Sequence, residues 1–340
     1  MHNLEIQPEK NPIPNPPGTR DTPAKEVADS DFISVLIVTW NRKDDLLRAV
    51  RSVFLQDYRN YEVIVVDNGS SDGTVDALTS AYPTVKIIKL DENRGVSAGR
   101  NMGIAASSGE IIFCLDSDAT LGRGTLAAVA HRFAIDLEAG IINSRILDPD
   151  TDQLTRGPGW VYSERQRSRQ NEVFPSWSFS EGGAAIRREV FDTAGLFWEK
   201  LRFGSEGQDL GLRAWEAGFG TVYDPCSVVY HKESQYSRVG GALRERLFLE
   251  GALSIYIVRY PWWMLMVLAP LKMAAVTIRA LRHGYFRSVI SAISGVALTL
   301  PDLLRERKAI SLQTAIHYLW LQRQQGPLSW GLRSWLKHKF

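Results

Sequence analysis

The stretch IIFCLDSD at residues 111–118 joins five apolar residues directly to two carboxylates that are one residue apart. The apolar run predicts a buried strand. Because side chains alternate along a strand, Asp116 and Asp118 should project to the same side, ~6.5 Å apart. Open α/β sheets bind ligands at the carboxyl ends of their strands, and hard divalent cations prefer oxygen ligands. Taken alone, the two acids could equally begin a solvated loop.

The sequence leading up to this stretch alternates between strand and helix patterns. Short apolar runs predict strands at residues 33–39, 61–66, 85–90 and 111–115. Apolar residues at helical spacing, together with turn and capping signals, predict helices at residues 44–56, 74–80 and 97–106. Such alternation is typical of an α/β domain with a parallel sheet and right-handed crossovers.

Polar residues follow three of these strands at the point where each strand ends. They are Trp40 and Asn41, Asp67 and Asn68, and Asp116 and Asp118. Because the carboxyl ends of parallel strands share one edge of a sheet, we expect these side chains to converge on a ligand site. The sequence lacks the common nucleotide-binding loops, since no Gly-x-Gly-x-x-Gly follows a strand and no Gly-x-x-x-x-Gly-Lys-Ser/Thr occurs.

Four segments together resemble the nucleotide-sugar half of family 2 glycosyltransferases with the GT-A fold. In chain order they are SVLIVTWNR, VIVVDNGSSDGT, NRGVSAGRNMGI and FCLDSDA. A weaker match continues through EGGAAIRREVFDTAGLF and EGQDLGLRAWEAGF to VVYH, and the whole is similar to rhamnosyltransferase-like bacterial sugar transferases. The resemblance implies an α/β fold with a mostly parallel nucleotide-binding sheet flanked by helices and a helical C-terminal appendage.

The resemblance also implies a nucleotide site at the strand ends. Trp40 would lay its ring beside the base, with a core aromatic as the alternative, and Asp67 would accept a hydrogen bond from a base N–H. Asn68 stands where the family often has a second acid, and an amide can donate as well as accept. Asp67 and Asn68 could instead form a turn with their side chains bonded to the backbone.

Further residues of the implied donor site would border the ribose and the sugar. Arg100 could alternatively be a surface residue of a helix, and Asn101 a bridge from helix to sheet. Small residues at Gly182 and Gly183 would let the backbone approach the sugar. The full donor-binding set is Val38, Trp40, Asn41, Asp67, Asn68, Asn93, Gly95, Arg100, Asn101, Asp116, Gly182 and Gly183.

The family likeness implies a cofactor, Mn²⁺ or Mg²⁺, with Asp116, Asp118 and His231 as its ligands. Asp118 would bind the metal directly, whereas Asp116 would contact the ribose or reach the metal through water. His231 matches a histidine that many family members use as a further ligand. A lone histidine at a strand end is more often only hydrogen-bonded, so this alternative stays open.

The catalytic base, which takes the proton of the acceptor hydroxyl, is expected within GSEGQDLGLR at residues 204–213. Family members commonly carry acid-acid-x-acid before leucine here, whereas this chain has Gly207 in the middle position. The candidates are therefore Glu206 and Asp209. A helix from about residue 208 would place Asp209 in its first turn, where the helix dipole lowers basicity. Glu206, just before that turn on mobile backbone, is favoured.

These residues favour a metal-dependent, inverting glycosyltransferase that moves a sugar from a nucleotide-diphosphate donor to a polysaccharide or lipid-linked acceptor. One alternative is a nucleotidyltransferase on a related fold, which would need a basic, glycine-rich loop after the first strand. Residues 40–44, WNRKD, contain no glycine. The other alternative is a non-catalytic sugar-nucleotide binder. Gly207 leaves this alternative open, because it stands at the position often assigned as the base.

The two ends of the chain differ from its middle. Residues 1–31 are polar, contain six prolines and predict a disordered extension before a catalytic domain at residues 32–235. Residues 236–340 carry 15 Lys and Arg against 4 Asp and Glu, although the whole chain has a net charge of only +2. Their interrupted apolar runs predict helices that lie on an anionic membrane surface. A packed helical subdomain or a homo-oligomer interface is the alternative.

Cysteine usage and the N-terminal sequence bear on the compartment. Cys114 and Cys226 lie in apolar runs and predict buried thiols in a reducing compartment. The N-terminal residues contain no apolar segment typical of a secretory signal. We therefore expect a cytoplasmic protein that is peripheral on the inner face of the cell membrane, with no nucleic-acid partner.

Overall fold

The computed structural model describes residues 31–155, 161–162, 164–201, 204–232 and 241–325. Almost all of the predicted N-terminal extension, residues 1–31, lies outside the described residues, so its disorder stays a prediction. The last residues of the basic C-terminal region, 326–340, also lie outside them.

The described residues form one mixed sheet of nine strands. In chain order the strands are β1 (Ile33–Thr39), β2 (Tyr61–Asp67), β3 (Lys86–Lys89), β4 (Ile111–Asp116), β5 (Ala119–Leu121), β6 (Ala139–Leu147), β7 (Phe174–Pro175), β8 (Gly183–Arg187) and β9 (Gly220–His231). Their spatial order is β3-β2-β1-β4-β8-β6-β9-β5, and β7 pairs with β9.

The first four strands form the parallel part of the sheet. β1 lies between β2 and β4, and β3 pairs with β2, all in parallel. The connecting helices are α1 (Lys43–Phe54), α2 (Thr74–Ala81) and α3 (Val96–Ala106). All seven elements lie within two residues of the positions that the sequence patterns predict.

The second part of the sheet is mixed. β8 runs antiparallel to both β4 and β6, whereas β6 and β9 are parallel to each other. A parallel strand beside β4 would need another helical crossover. Instead, the chain reaches β8 through α4 (Thr125–Ile135), β6 and a segment with a short 3₁₀ helix at Glu164–Arg169. The predicted α/β class is confirmed, with antiparallel pairs beyond β4.

Apolar side chains cover both faces of the sheet. On β1, Ile33, Val35 and Ile37 pack with α1, α2 and α4, and Leu36 faces the opposite core. That second core is covered by α3, α5 (Arg188–Ala194) and α6 (Glu206–Glu216). Burial on both faces explains why the central strands are unbroken apolar runs in the sequence.

The C-terminal region is helical, as the resemblance implies. Its helices are α7 (Gly241–Arg259), α8 (Trp262–His283), α9 (Phe286–Arg305) and α10 (Leu312–Gln325). Tyr256 at the end of α7 and Tyr318 of α10 share a core with Trp177 of the sheet domain. Within the described residues, α8 and α9 are the two helices whose length and apolar composition would suffice to cross a membrane.

The two cysteines differ in environment. Cys114 is buried in β4, as expected, but Cys226 is exposed in β9. The prediction of a second buried thiol is therefore wrong. The ladder between β6 and β9 shifts register here, because Ser144 pairs with Asp224 and Arg145 with Val228. Cys226 lies in this bulge, where the alternation of a regular strand is interrupted.

Candidate functional site

The carboxyl ends of β1, β2 and β4 meet at one edge of the sheet. In the ladders, Thr39 pairs with Asp67, and Val38 pairs with Asp116. Trp40 follows β1 directly, so polar residues at three strand ends lie side by side. Ligands of open α/β sheets bind at this kind of edge.

Asp116, Asp118 and His231 form a compact group of oxygen and nitrogen ligands. One ligand atom from each residue lies within 4.8 Å of the others, and all three residues are half-buried. Asp116 ends β4, and His231 ends β9, where it pairs with Ala119 of β5. Two carboxylates suit Mg²⁺ and Mn²⁺, and imidazole nitrogen is a frequent ligand of transition metals. The ligand set therefore fits Mn²⁺ better than Mg²⁺.

Two arginines and a histidine face the same two acids. Arg42 Nη1 lies 2.6 Å from Asp118 Oδ2, and His231 Nε2 lies 3.3 Å from Asp118 Oδ1. Arg100 Nη2 lies 3.2 Å from Asp116 Oδ1. The sheet edge thus concentrates negative charge that attracts the guanidinium groups of Arg42 and Arg100, and the same charge would attract a divalent cation.

Asp67 is buried at the end of β2, and only one of its carboxylate oxygens is bonded. Oδ2 accepts a hydrogen bond from the Ser70 N–H at 3.2 Å, whereas Oδ1 has no hydrogen-bond partner within the described part of the chain. A buried acceptor without a partner is costly. A ligand N–H directed at Oδ1 would remove that cost, and the alternative of a simple turn explains only Oδ2.

Trp40 and Asn41 form the loop that follows β1. The Trp40 side chain is 40% exposed, which excludes a core aromatic. Asn41 has a φ of 52°, a left-handed conformation that asparagine tolerates better than most residues. Its N–H donates to Ser70 Oγ, and its Oδ1 accepts from the Ser71 N–H, each at 2.8 Å. Asn41 therefore fastens the loop after β1 to the loop after β2.

Asn68 and Asn93 shape the loop that leads into α3. Asn68 Nδ2 donates to the Gly95 carbonyl at 3.1 Å, and Asn68 Oδ1 accepts from the Arg94 N–H at 2.9 Å. Asn93 Oδ1 accepts from the Gly95 N–H at 2.9 Å. Gly95 has a φ of 89° at the start of α3, which favours glycine. The Asn68 side chain thus bonds to backbone, as the alternative expects, and both of its partners lie in the loop before α3.

Arg100 and Asn101 are both buried on α3. Arg100 reaches Asp116 and lies over the Phe197 ring with 5.5 Å to the ring centre, so the alternative of a surface residue is excluded. Asn101 Nδ2 donates to the Phe197 carbonyl at 2.9 Å, and its Oδ1 accepts from the Phe197 N–H at 3.0 Å. Asn101 therefore bridges α3 to the loop after α5, while Arg100 belongs to the site.

Gly182 allows the backbone before β8 to pass against Asp116. The Asp116 N–H donates to the Gly182 carbonyl at 3.2 Å, and a Cβ on Gly182 would collide with the Asp116 carboxylate. Gly183 begins β8 and pairs with Leu115. On the other side of β4, Val38 is half-buried and packs so closely on α3 that a Cβ on Gly99 would lie 2.7 Å from it.

The comparison with known proteins identifies the family. Residues 34–195 match the family model described as glycosyl transferase family 2. Residues 34–195 of this chain therefore form a family 2 glycosyltransferase domain. The assignment confirms the resemblance seen in the sequence, and it confirms that the protein is an enzyme of the glycosyltransferase class.

Two curated relatives and one solved structure illustrate the likeness. The glycosyltransferase is 27% identical over 237 residues to the N-acetylglucosaminyl-diphospho-decaprenol L-rhamnosyltransferase of Mycobacterium tuberculosis, covering 60% of this chain and 77% of that protein. It is 30% identical over 226 residues to the succinoglycan biosynthesis protein ExoO of Rhizobium meliloti, covering 61% and 63%. The mannosyltransferase of Pyrobaculum calidifontis, in complex with GDP-Man and Mn²⁺, gives a TM-score of 0.53 at 18% identity, covering 90% and 83%. That structural likeness confirms the GT-A fold.

Glu206 of the glycosyltransferase is the first residue of α6 and is only 3% exposed. Burial, and then the nearby Glu181 carboxylate, raise the pKa of Glu206 to about 8. The prediction that Glu206 precedes the helix on mobile backbone is wrong. The helix begins two residues earlier than predicted, directly after Ser205 with its left-handed φ of 71°.

Asp209 is fully buried between two arginines. Its Oδ2 lies 2.7 Å from Arg213 Nη2, and its Oδ1 lies 2.6 Å from Arg259 Nε at the end of α7. Each carboxylate oxygen of Asp209 is thus held by a guanidinium group, so neither faces the donor site. The geometry therefore favours a structural role for Asp209, which links the C-terminal region to α6.

Glu181 is a residue of this site that the sequence analysis missed. It directly precedes Gly182, is partly exposed and accepts a hydrogen bond from the Gly207 N–H on α6. Burial raises the pKa of Glu181 above its ordinary value. Two features of the sequence could have indicated Glu181. It is an acid directly beside the Gly182-Gly183 pair, and the chain has Gly207 where family members commonly have a second acid.

Proposed function

We propose that this glycosyltransferase takes its sugar from a nucleotide-diphosphate donor with the help of Mn²⁺ or Mg²⁺ held by Asp116, Asp118 and His231. The observation that carries the proposal is the group of three ligand atoms within 4.8 Å, on the same sheet edge as the unpaired Oδ1 of Asp67. The mannosyltransferase of similar fold is in complex with GDP-Man and Mn²⁺, which supports the donor class and the metal. A divalent cation bound there would neutralise charge that grows on the leaving diphosphate.

The residues at the strand ends would bind and orient the donor. Asp67 Oδ1 would accept a hydrogen bond from an N–H of the base, and the exposed Trp40 ring would stack on the base face. Arg100 would hold Asp116 in place through their ion pair. The backbone at Gly182 has no side chain to keep the sugar away from Asp116.

The transfer we propose is a single displacement that inverts the anomeric centre. The acceptor hydroxyl oxygen bonds to the anomeric carbon while the bond from that carbon to the diphosphate breaks. The diphosphate leaves with the electron pair, and a carboxylate of the site receives the hydroxyl proton. No covalent intermediate with the protein is required.

The acceptor we propose is a polysaccharide or a lipid-linked glycan. The Mycobacterium relative has a diphospho-decaprenol compound in its name, and the Rhizobium relative is named for succinoglycan biosynthesis. Both names support an acceptor that is made at a bacterial envelope. A lipid-linked acceptor cannot diffuse through the cytoplasm, so the enzyme would have to work at the membrane.

The helices α8 and α9 support a location on the inner face of the cell membrane. On α9, exposed apolar side chains recur at helical spacing at Phe286, Ile290, Ile293, Leu300 and Leu304. On α8 the same spacing is seen at Trp263, Val267, Leu271, Ile278 and Leu281. Exposed Arg282 and Arg287 flank the turn between the two helices. Apolar faces edged by arginine suit the interface of an anionic leaflet, so we propose that residues 236–340 form a peripheral membrane region beside a catalytic domain at residues 32–235.

A thermal-shift screen tests the donor proposal. The full-length protein would be heated with a panel of UDP-, GDP- and dTDP-sugars, with Mn²⁺ or with EDTA. A ligand at a hundred times its Kd adds about 2.7 kcal/mol of stability, which raises Tm by several degrees. We expect at least one nucleotide sugar to do so only with Mn²⁺. A flat response to the whole panel with Mn²⁺ present would contradict the proposal.

A further inference from the structure

We propose that Glu181 is the catalytic base of the transfer and that neither Glu206 nor Asp209 fills this role. The inference rests on the proposed function, because it names the group that accepts the proton in that reaction. It assigns a role to a side chain that lies outside residues 204–213, where the sequence pattern places the base.

Access is the first observation that separates the three acids. Glu181 is partly exposed, whereas Glu206 is 3% exposed and Asp209 is 0% exposed. A base must touch the acceptor hydroxyl within hydrogen-bond distance. Among the three residues, Glu181 is therefore the one that retains accessible surface for an incoming acceptor.

Position is the second observation. Glu181 is adjacent in sequence to Gly182, the residue whose backbone abuts the Asp116 carboxylate. Asp116 belongs to the proposed metal and diphosphate site. Glu181 therefore lies where the reacting end of the donor would be, whereas Asp209 points to Arg213 and Arg259 behind α6.

Gly207 provides the third observation, because its missing side chain makes room for Glu181. A Cβ at position 207 would lie 2.8 Å from Glu181 Oε1 and would collide with the Phe179 carbonyl. The Gly207 N–H instead donates to the Glu181 carboxylate and holds it in place. A side chain at position 207 and the observed Glu181 carboxylate therefore exclude each other, and this chain carries its acid at position 181, just before β8.

The proposed step conserves atoms and charge. The acceptor oxygen forms its bond to the anomeric carbon, and the bond from that carbon to the diphosphate oxygen breaks with the electron pair. The hydroxyl proton passes to Glu181, which becomes neutral and later releases the proton to solvent. Water can replace the acceptor hydroxyl in the same step, which yields donor hydrolysis and free nucleoside diphosphate.

The test uses purified full-length protein, Mn²⁺ and the nucleotide sugar that stabilises it most, with water as acceptor. We expect Glu181→Gln to lose about 10²–10⁴-fold in nucleoside diphosphate release while binding the nucleoside diphosphate as tightly as the wild type. Glu206→Gln should lose far less. Glu189→Gln, the same change at an exposed glutamate of α5, should retain full activity.

Azide distinguishes a base from a residue that only supports the fold. Azide attacks the anomeric carbon through nitrogen and carries no proton to be removed, so it should restore turnover of Glu181→Gln as a glycosyl azide. Glu181→Asp, which keeps a shorter carboxylate, should retain partial hydrolysis and serves if the glutamine variant fails to fold. Full hydrolysis by folded Glu181→Gln, or a loss that azide does not restore, would overturn the inference. A wild type that binds no nucleotide with Mn²⁺ would instead overturn the proposed function itself.

Discussion

At the scale of single residues, the buried carboxyl of Glu206 predicts a pH-dependent stability. Its pKa is raised from an ordinary value of 4.5 to about 8, first by burial and then by Glu181. Between these values the folded protein holds a proton that the unfolded chain has released, so the free energy of unfolding falls as pH rises. Each unit of pKa difference corresponds to about 1.4 kcal/mol.

Glu206→Gln should remove most of this pH dependence. Glutamine cannot ionise, so the variant should gain stability relative to the wild type as the pH is raised from 5 towards about 8. Urea unfolding of both proteins in metal-free buffer across this range measures the effect. Parallel curves for the two proteins would show that Glu206 is already ionised in the folded state.

Single residues also show what the sequence could and could not predict. Asp67 and Asp116 were predictable because each ends an apolar strand, and parallel strands bring their ends together. Asn101 bonds to the backbone of Phe197, far along the chain, and no local sequence pattern predicts that contact. The sequence analysis missed Glu181 for the same reason, because its place in the site depends on Gly207, which packs beside it in the fold.

At the scale of elements, the contact between α6 and α7 depends on Asp209. Arg259, the last residue of α7, pairs with Asp209 in a buried setting. Removing one partner of a buried ion pair leaves an uncompensated charge and costs roughly 3–5 kcal/mol. We expect Arg259→Met to approach the lower end of that range, because Arg213 still faces the carboxylate.

Arg305→Met is the matched control for this prediction. Arg305 is exposed and pairs with Asp302 one turn earlier on α9, and such surface pairs contribute little. Chemical unfolding should therefore separate the two variants clearly. Equal stabilities would mean that the contact between α6 and α7 does not depend on the ion pair.

The order of strands and helices along the chain explains why half of the sheet was harder to predict. β1 to β4 alternate with helices, and that alternation demands parallel neighbours. After β6 the chain reaches β8 without a crossover helix, so its direction beside β4 depends on tertiary packing. The early start of α6 is a similar case. Ser205 before the helix has a left-handed φ of 71°, and a serine in the sequence gives no reason to expect that conformation.

At the scale of the whole molecule, the exposed apolar faces of α8 and α9 predict binding to anionic membranes. The full-length protein should float with vesicles that contain phosphatidylglycerol, and added salt should release part of it. Ile290→Glu puts a charge on the exposed face of α9 and should weaken binding. Ile135→Glu is the control, because Ile135 is 59% exposed at the end of α4, compared with 50% for Ile290.

Two results, one from vesicle flotation and one from carbonate extraction of membranes, would contradict a peripheral membrane region. The protein could stay in solution with every vesicle and form a dimer that Ile290→Glu disrupts. That result would show that the exposed face of α9 binds a second copy of the chain. Resistance to carbonate extraction would show that α8 and α9 cross the membrane, which their length and apolar composition would permit.

The metal-dependent binding of a nucleoside diphosphate tests the central claim most directly. Titration calorimetry of the wild type with UDP, GDP and dTDP should show one of them binding with Mn²⁺ and not with EDTA. Asp118→Asn should remove that Mn²⁺ dependence while the protein remains folded, and Asp76→Asn on the exposed side of α2 should leave it unchanged. Wild-type binding that ignores Mn²⁺, or an Asp118→Asn variant with undiminished Mn²⁺ dependence, would contradict the account.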